Sequence, residues 1–178
     1  MSVPGNLVNT ITMPLRWGDM DAYGHANNTV YFRFFEEARI VWLASLELGG
    51  PDEPTGPVII KTSATFLKEL NHPATVEVKT YADKAGNTSL DTYHLLTDVD
   101  TGAVYAEGYA KIVWFERKTR SSAPLPDTLR ALAGPYTHLK PTTSERMRDP
   151  VVTQTDARKS HNNRRSDDGS GHIVAGGE

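Results

Sequence analysis

Residues 16–28 concentrate more polar chemistry than any other stretch of this 178-residue chain. They lie between an alternating, strand-like segment and a segment with helical periodicity. A strand that turns into a helix can place an acid beside free backbone N–H groups. Those groups carry partial positive charge and suit a developing oxyanion. Two glycines allow the turn, and the polar members of the stretch are Asp19, Asp21, His25, Asn27 and Asn28.

Each of these residues also has an ordinary structural role, and position alone does not decide between the two. If strand alternation continues through the acids, Asp19 and Asp21 point to opposite sides and only one can face the helix. Asn27 or Asn28 would serve as the helix N-cap. His25 could orient Asp21, touch a substrate or only close the turn.

The flanking elements must position this stretch. Alternation predicts a strand over 7–17, in which Pro14 indicates an edge position or a bulge. Helical spacing of apolar residues predicts a helix over 29–48, ended by the Gly-Gly-Pro run at 49–51. Four more strands are predicted over 58–70, 75–83, 88–98 and 103–115.

The order of elements predicts an α+β domain. One long helix should pack on a five-stranded antiparallel sheet, whose last four strands we expect to form a meander. A short helix is predicted over 125–132. We place the domain at 1–136 and a polar tail at 137–178, which composition predicts to be disordered because few aliphatic and no aromatic residues follow Pro141.

Composition excludes several classes. A formal net charge of −3 argues against a nucleic-acid partner. The absence of cysteine excludes disulfides and thiolate chemistry. The first ten residues lack the features of a signal peptide, and no apolar run is long enough to span a membrane. We therefore expect a cytoplasmic protein without a membrane partner.

Other chemistries lack their motifs. No HExxH or comparable spacing indicates a metal site, so we expect none. No GxSxG elbow indicates a serine hydrolase, and Gly18 and Gly24 are too sparse for a phosphate-binding loop. What remains is acyl transfer, in which a carboxylate drives attack and N–H donors hold the oxyanion.

Residues 16–28, followed by the aromatic and charged run 31–39, resemble the signature of the 4-hydroxybenzoyl-CoA thioesterase-like branch of the hotdog-fold superfamily. Segments 66–70 and 86–90 resemble it more weakly. The resemblance implies a hotdog fold, with the long helix on a curved sheet, and an acyl-CoA thioesterase. CoA would be part of the substrate, and no separate cofactor is expected.

The same resemblance implies roles for individual residues. Asp21 would act as nucleophile or as general base on water, and a backbone N–H at Asn28 or a neighbour would polarise the thioester carbonyl, with His25 as a third catalytic candidate. The active sites would lie across the interface of a homodimer or homotetramer. The residues implied to contact the substrate are Asn27, Lys84, Asn87, Thr88 and Ser89.

Three alternatives stay open at this point. A non-catalytic module that binds or senses acyl-CoA would use the same site without hydrolysis. A hotdog dehydratase is disfavoured because its His-plus-acid signatures do not match. Glu36 and Glu37 lie on the helix where other hotdog branches place a catalytic acid, but surface or inter-subunit ion pairs are the favoured interpretation.

Overall fold

The structure is a computed structural model that describes residues 3–134. One long helix packs on a single antiparallel sheet with strand order β1-β3-β4-β5-β2, and a short strand β6 pairs with β5. The α+β prediction is confirmed, and β6 is an addition to the five predicted strands. The predicted tail, 137–178, lies outside the described residues. The elements are β1 (Asn6–Leu15), α1 (Asn28–Ser45), β2 (Thr55–Phe66), β3 (Ala74–Ala85), β4 (Ser89–Asp98), β5 (Val104–Glu116), β6 (Ser121–Ser122) and α2 (Asp127–Leu132).

The predicted four-strand meander is wrong for β2, which pairs with β5 and not with β3. Turn residues suited to a hairpin join β3 to β4 and β4 to β5, but they are missing between β2 and β3. Segment 67–73 instead crosses the end of the sheet. Its backbone contacts β5 through Leu67 N–H and Tyr105 O at 2.8 Å, and then reaches the polar stretch, where Ala26 N–H donates to Leu70 O at 2.8 Å.

The core forms between the helix and one sheet face, because buried residues alternate with less buried ones along β3 and β5. The helix lies so close to β5 that Gly108 is required there. A Cβ at Gly108 would lie 2.6 Å from the Phe35 ring. Two apolar clusters fill this space, one around Phe34 and Phe35 and one around Trp42 and Leu43.

The ends of the elements differ from prediction by a few residues. Helix α1 ends at Ser45 and not at 48, because Glu47 (φ 57°) and Gly49 (φ 74°) adopt left-handed backbone conformations that stop it earlier. Strand β1 is an edge strand, as Pro14 predicted. Among residues 3–134, no helix has both the length and the apolar character that crossing a membrane requires.

Candidate active site

A closed loop follows β1 and brings the polar stretch to the start of α1. After the 3-10 turn Trp17–Asp19, Met20 and Ala26 pair as an isolated β-bridge. Inside this bridge, Asp21 N–H donates to His25 O at 2.9 Å and Gly24 N–H donates to Asp21 O at 3.1 Å. Gly24 has φ +86°, a conformation that favours glycine. We call residues 21–28 the catalytic turn, after the roles predicted for Asp21, His25 and Asn28.

The fold makes the two acids unequal. Asp19 is 4% exposed, and its carboxylate accepts from the Arg16 guanidinium at 2.8 and 3.2 Å and from the Arg16 N–H at 2.9 Å. These hydrogen bonds hold the pKa of the Asp19 carboxyl below its usual value. Asp21 is half-buried, and its Oδ1 accepts from Tyr23 N–H at 2.8 Å. Within residues 3–134 its Oδ2 accepts no hydrogen bond, so this oxygen is available to a substrate or a water molecule.

The N-terminus of α1 offers an unused donor at Asn28. Asn27 is the N-cap: its Oδ1 accepts from Thr29 N–H at 3.0 Å, and its backbone O accepts from Val30 N–H at 2.9 Å. Asn28 N–H has no acceptor within the described residues. Of the two candidate caps the structure therefore identifies Asn27, and Asn28 keeps an N–H without an acceptor in the described part of the chain.

An open cleft of about 310 Å³ is lined in part by Asn28. His25 and Asn28 line it together with Tyr31 and Phe66, whose rings meet edge to face at 4.9 Å. Its remaining lining residues are Ala26, Leu67, Lys68 and Glu69. Asp21 lies in the same turn but does not line the cleft. The structure therefore brings His25 and Asn28 to one cleft. Asp21 lies outside the lining, in the turn that His25 closes through its backbone carbonyl.

Segment 67–73 braces the catalytic turn through contacts that sequence reasoning missed. Asn71 Nδ2 donates to Gly24 O at 2.8 Å, and Glu69 Oε1 lies 3.7 Å from His25 Nε2. The two segments are about 45 residues apart, so no local pattern signals the contact. Asn71 belongs to the run Asn-His-Pro at 71–73, whose contact with Gly24 no sequence motif indicates.

The hairpin between β3 and β4, residues 84–89, does not approach the catalytic turn within one chain. In the ladder between β1 and β3, Asn6 pairs with Ala82 and Leu15 with Ala74. The hairpin therefore lies at one end of β1 and the catalytic turn at the other, about 30 Å apart at ~3.4 Å per residue. Four of the predicted substrate contacts are on this hairpin: Lys84, Asn87, Thr88 and Ser89.

The chemistry of the site is that of a carboxylate and a backbone N–H, with an imidazole nearby. Among residues 3–134, no group of three or more His, Asp or Glu side chains is arranged to hold a metal ion. A carboxylate beside a free helix N-terminal N–H suits attack on an acyl carbonyl. The catalytic roles of Asp21, His25 and Asn28 and the substrate contact of Asn27 stay predictions.

Comparison with known proteins identifies the class. The Thioesterase-like superfamily model matches residues 15–132, so the chain belongs to the Thioesterase-like superfamily. This membership confirms the hotdog fold and supports the predicted class, thioester hydrolase. The 4-hydroxybenzoyl-CoA branch stays a prediction.

Individual proteins resemble this chain to different degrees. The PA2801 protein from Pseudomonas aeruginosa has 44% identity, with 70% of this chain and 97% of that chain covered and a TM-score of 0.67. Slr0204, a 1,4-dihydroxy-2-naphthoyl-CoA thioesterase from Synechocystis, has 16% identity, with 70% and 93% covered and a TM-score of 0.64, and shows the fold alone. YsmA of Bacillus subtilis is 25% identical over 95 residues, which span 51% of this chain and 65% of YsmA.

Proposed function

We propose that this protein hydrolyses an acyl-CoA thioester to a free acid and CoA. The observation that carries the proposal is the unused N–H of Asn28, which lies at a cleft and next to a turn that holds a carboxylate with a free oxygen. A helix N-terminus with an unused donor favours a negatively charged oxygen. Superfamily membership makes a thioester the acyl donor to test first.

In this mechanism the thioester carbonyl oxygen accepts a hydrogen bond from Asn28 N–H. Asp21 either attacks the carbonyl carbon or takes a proton from a water molecule that attacks it. The carbon–sulfur bond then breaks and the thiolate of CoA leaves, taking up a proton. On the general-base route this step forms the free acid. On the nucleophilic route it leaves a mixed anhydride on Asp21, and a water molecule hydrolyses the anhydride to the free acid and restores the carboxylate. A thiolate is a good leaving group, so the reaction requires no metal. His25, half-buried in the cleft lining, is a candidate to orient Asp21 or contact the substrate.

A homo-oligomer would complete the site. Strand β2 is an edge strand, and Val58, Ile59 and Ile60 on it are exposed. Edge strands present unpaired backbone groups that invite pairing with another chain. A second copy could bring its own hairpin, residues 84–89, towards the catalytic turn of the first, which the ~30 Å separation prevents within one chain. Two copies would thus share the CoA between them, in a homodimer or in a homotetramer built from such dimers.

The acyl group is best sought by screening. The aromatic edges of Tyr31 and Phe66 at the cleft would accept an aromatic or short acyl group. Aromatic and short-chain esters therefore belong in the panel, with long-chain esters for comparison. A free-thiol assay over short-chain, long-chain and aromatic acyl-CoAs measures release of CoA directly.

The decisive variant is Asp21→Asn. It removes the charge of the carboxylate but keeps its shape, so we expect CoA release to fall by about 10²–10⁴-fold, the usual range for losing a positioned acid–base group. Folding should be unchanged, because Asn can still accept from Tyr23 N–H. The matched control is Asp52→Asn, an exposed acid beyond the opposite end of α1, which should keep wild-type activity.

Two results would contradict the proposal. Wild-type turnover in Asp21→Asn would remove Asp21 from the mechanism. Binding of CoA esters without any release of thiol by the wild-type protein would favour the non-catalytic binding module. Circular dichroism and size-exclusion chromatography of both variants verify that fold and assembly are retained.

A further inference from the structure

The tip of the β3–β4 hairpin has its backbone carbonyl groups occupied. Gly86 O accepts from Arg130 Nη1 at 2.9 Å, and Asn87 O accepts from Arg130 Nη2 at 3.3 Å. Asn87 O also accepts from Leu125 N–H at 2.9 Å. The next two carbonyl groups, at 88 and 89, accept backbone N–H groups at 2.8 and 2.7 Å. Four successive carbonyl oxygens of the tip are therefore satisfied from within the protein.

The same tip presents unused donors. The N–H groups of Asn87 and Thr88 have no acceptor among residues 3–134. The side chain of Lys84 is exposed, and the hydroxyls of Thr88 and Ser89 add further donors on half-buried residues. Successive backbone N–H groups with nearby hydroxyls and an ammonium group suit a phosphate, whose oxygens only accept. Carbonyl oxygens left free at this tip would repel the same phosphate.

Arg130 is the residue that connects this tip to the rest of the fold. It lies on α2, and its planar guanidinium reaches two neighbouring carbonyl groups at once, which a lysine could not do with the same fixed geometry. Its nearest acidic group is Asp127 Oδ1, at 3.9 Å, so the guanidinium is directed mainly at the hairpin backbone. This pair of hydrogen bonds, the Arg130 fork, holds the hairpin against α2 and places the positive charge of the guanidinium next to the tip.

We propose that Arg130 is a positioning residue for CoA binding: by occupying the Gly86 and Asn87 carbonyls, it makes the hairpin tip a phosphate-binding surface. This inference rests on the proposed function, in which the hairpin meets the CoA. Helix α2, which carries Arg130, would thereby contribute to substrate binding, although no sequence motif indicates such a role. The ligand class is the pyrophosphate or ribose phosphate of CoA, and the acyl group plays no part.

The test compares two substrates that carry the same acyl group, chosen as the one hydrolysed fastest in the panel. One is the acyl-CoA and the other is the acyl-N-acetylcysteamine thioester, which lacks every phosphate. Arg130→Gln should raise KM for the acyl-CoA about 10-fold with kcat nearly unchanged, because the released carbonyls weaken the hydrogen bonds that the tip makes to the phosphates. KM for the N-acetylcysteamine thioester should stay the same. A purely structural role would affect both substrates alike.

Two further variants sharpen the result. Arg130→Lys keeps the charge but not the fork, so it should behave like Arg130→Gln if occupation of the carbonyls is what counts. Arg117→Gln is the matched control, because Arg117 donates in the same way to the carbonyls of Gly50 and Pro51, in a different loop. It should change KM for neither substrate.

An unchanged KM for the acyl-CoA in Arg130→Gln, or an equal rise for both thioesters, would overturn the inference. Titration calorimetry with CoA and with pantetheine separates this failure from failure of the proposed function. If the protein hydrolyses no thioester but binds CoA more tightly than pantetheine, and Arg130→Gln abolishes that difference, the role of Arg130 stands and the hydrolase proposal fails.

Discussion

Helix α1 contacts two polar regions that use their hydrogen-bonding groups in opposite ways. The catalytic turn lies at its N-terminus, where Asn28 N–H and one oxygen of Asp21 have no partner within the described residues. The second region lies beneath its middle, where Arg39, Thr80 and His94 form a polar layer between helix and sheet. Both regions are polar, but in the second the imidazole of His94 has both of its ring nitrogens paired.

The imidazole at the centre of the polar layer is buried and paired. His94 is 1% exposed and stacks on the Phe35 ring, with the ring centres 5.2 Å apart. Its Nε2 lies 3.1 Å from Arg39 Nη1 and its Nδ1 3.1 Å from Thr80 Oγ1. Because the guanidinium can only donate, Nε2 is the acceptor and Nδ1–H donates to the hydroxyl. Burial, and then the charge of Arg39, lower the pKa of His94 to about 3, so the ring is neutral.

The difference teaches how to separate structure from chemistry among polar residues. A group whose donors and acceptors are matched inside the fold contributes to stability and has little left for a ligand. A group with unmatched donors or acceptors beside a cleft is available for a reaction. Substitutions in the polar layer should therefore change stability, and substitutions in the catalytic turn should change turnover.

The largest effect on stability is expected from His94→Leu. It leaves the nearly buried Arg39 guanidinium without its acceptor, which should cost about 3–4 kcal/mol of unfolding free energy. Turnover per folded molecule should stay near the wild-type value. Urea denaturation and the thiol assay measure the two quantities. The double variant Arg39→Met/His94→Leu should recover part of the loss, because it removes the unpaired charge as well; no recovery would mean that the pairing is not the cause.

The second-largest loss of stability is expected at low pH, where the His94 ring must take up a proton. The folded pKa of His94, about 3, lies below the value of about 6.5 for an unfolded chain, so the unfolded state binds more protons between these two pH values. The stability from the neutral ring is fully present above pH 6.5 and falls as pH is lowered. Between pH 7 and pH 4.5 we expect a loss of about 2–3 kcal/mol from this group. Urea melts across this range should show the slope in the wild type and a flatter profile in His94→Gln; identical slopes would contradict the assignment.

The sequence predicted the first region and not the second for a physical reason. The catalytic turn is contiguous, and its Asp, Gly and Asn residues have local conformational preferences that can be recognised without the fold. Arg39, Thr80 and His94 come from α1, β3 and β4, and only tertiary packing brings them together. The pairing of β2 with β5 was missed for the same reason, since strand pairing across 40–60 residues depends on burial and not on a turn motif.

The smallest loss of stability is expected from Asn71→Ala, a substitution that should change both stability and turnover. Asn71→Ala removes the hydrogen bond from the Asn71 side chain to Gly24 O. The control Asn6→Ala removes a comparable hydrogen bond from the Asn6 side chain to Leu132 O, 3.2 Å long and remote from the turn. Each should cost about 1 kcal/mol of stability. Only Asn71→Ala should lower kcat, by roughly 10-fold with KM little changed, because a displaced turn misplaces Asp21 and Asn28 relative to the carbonyl. Equal kcat values in the two variants would show that the turn keeps its geometry without Asn71.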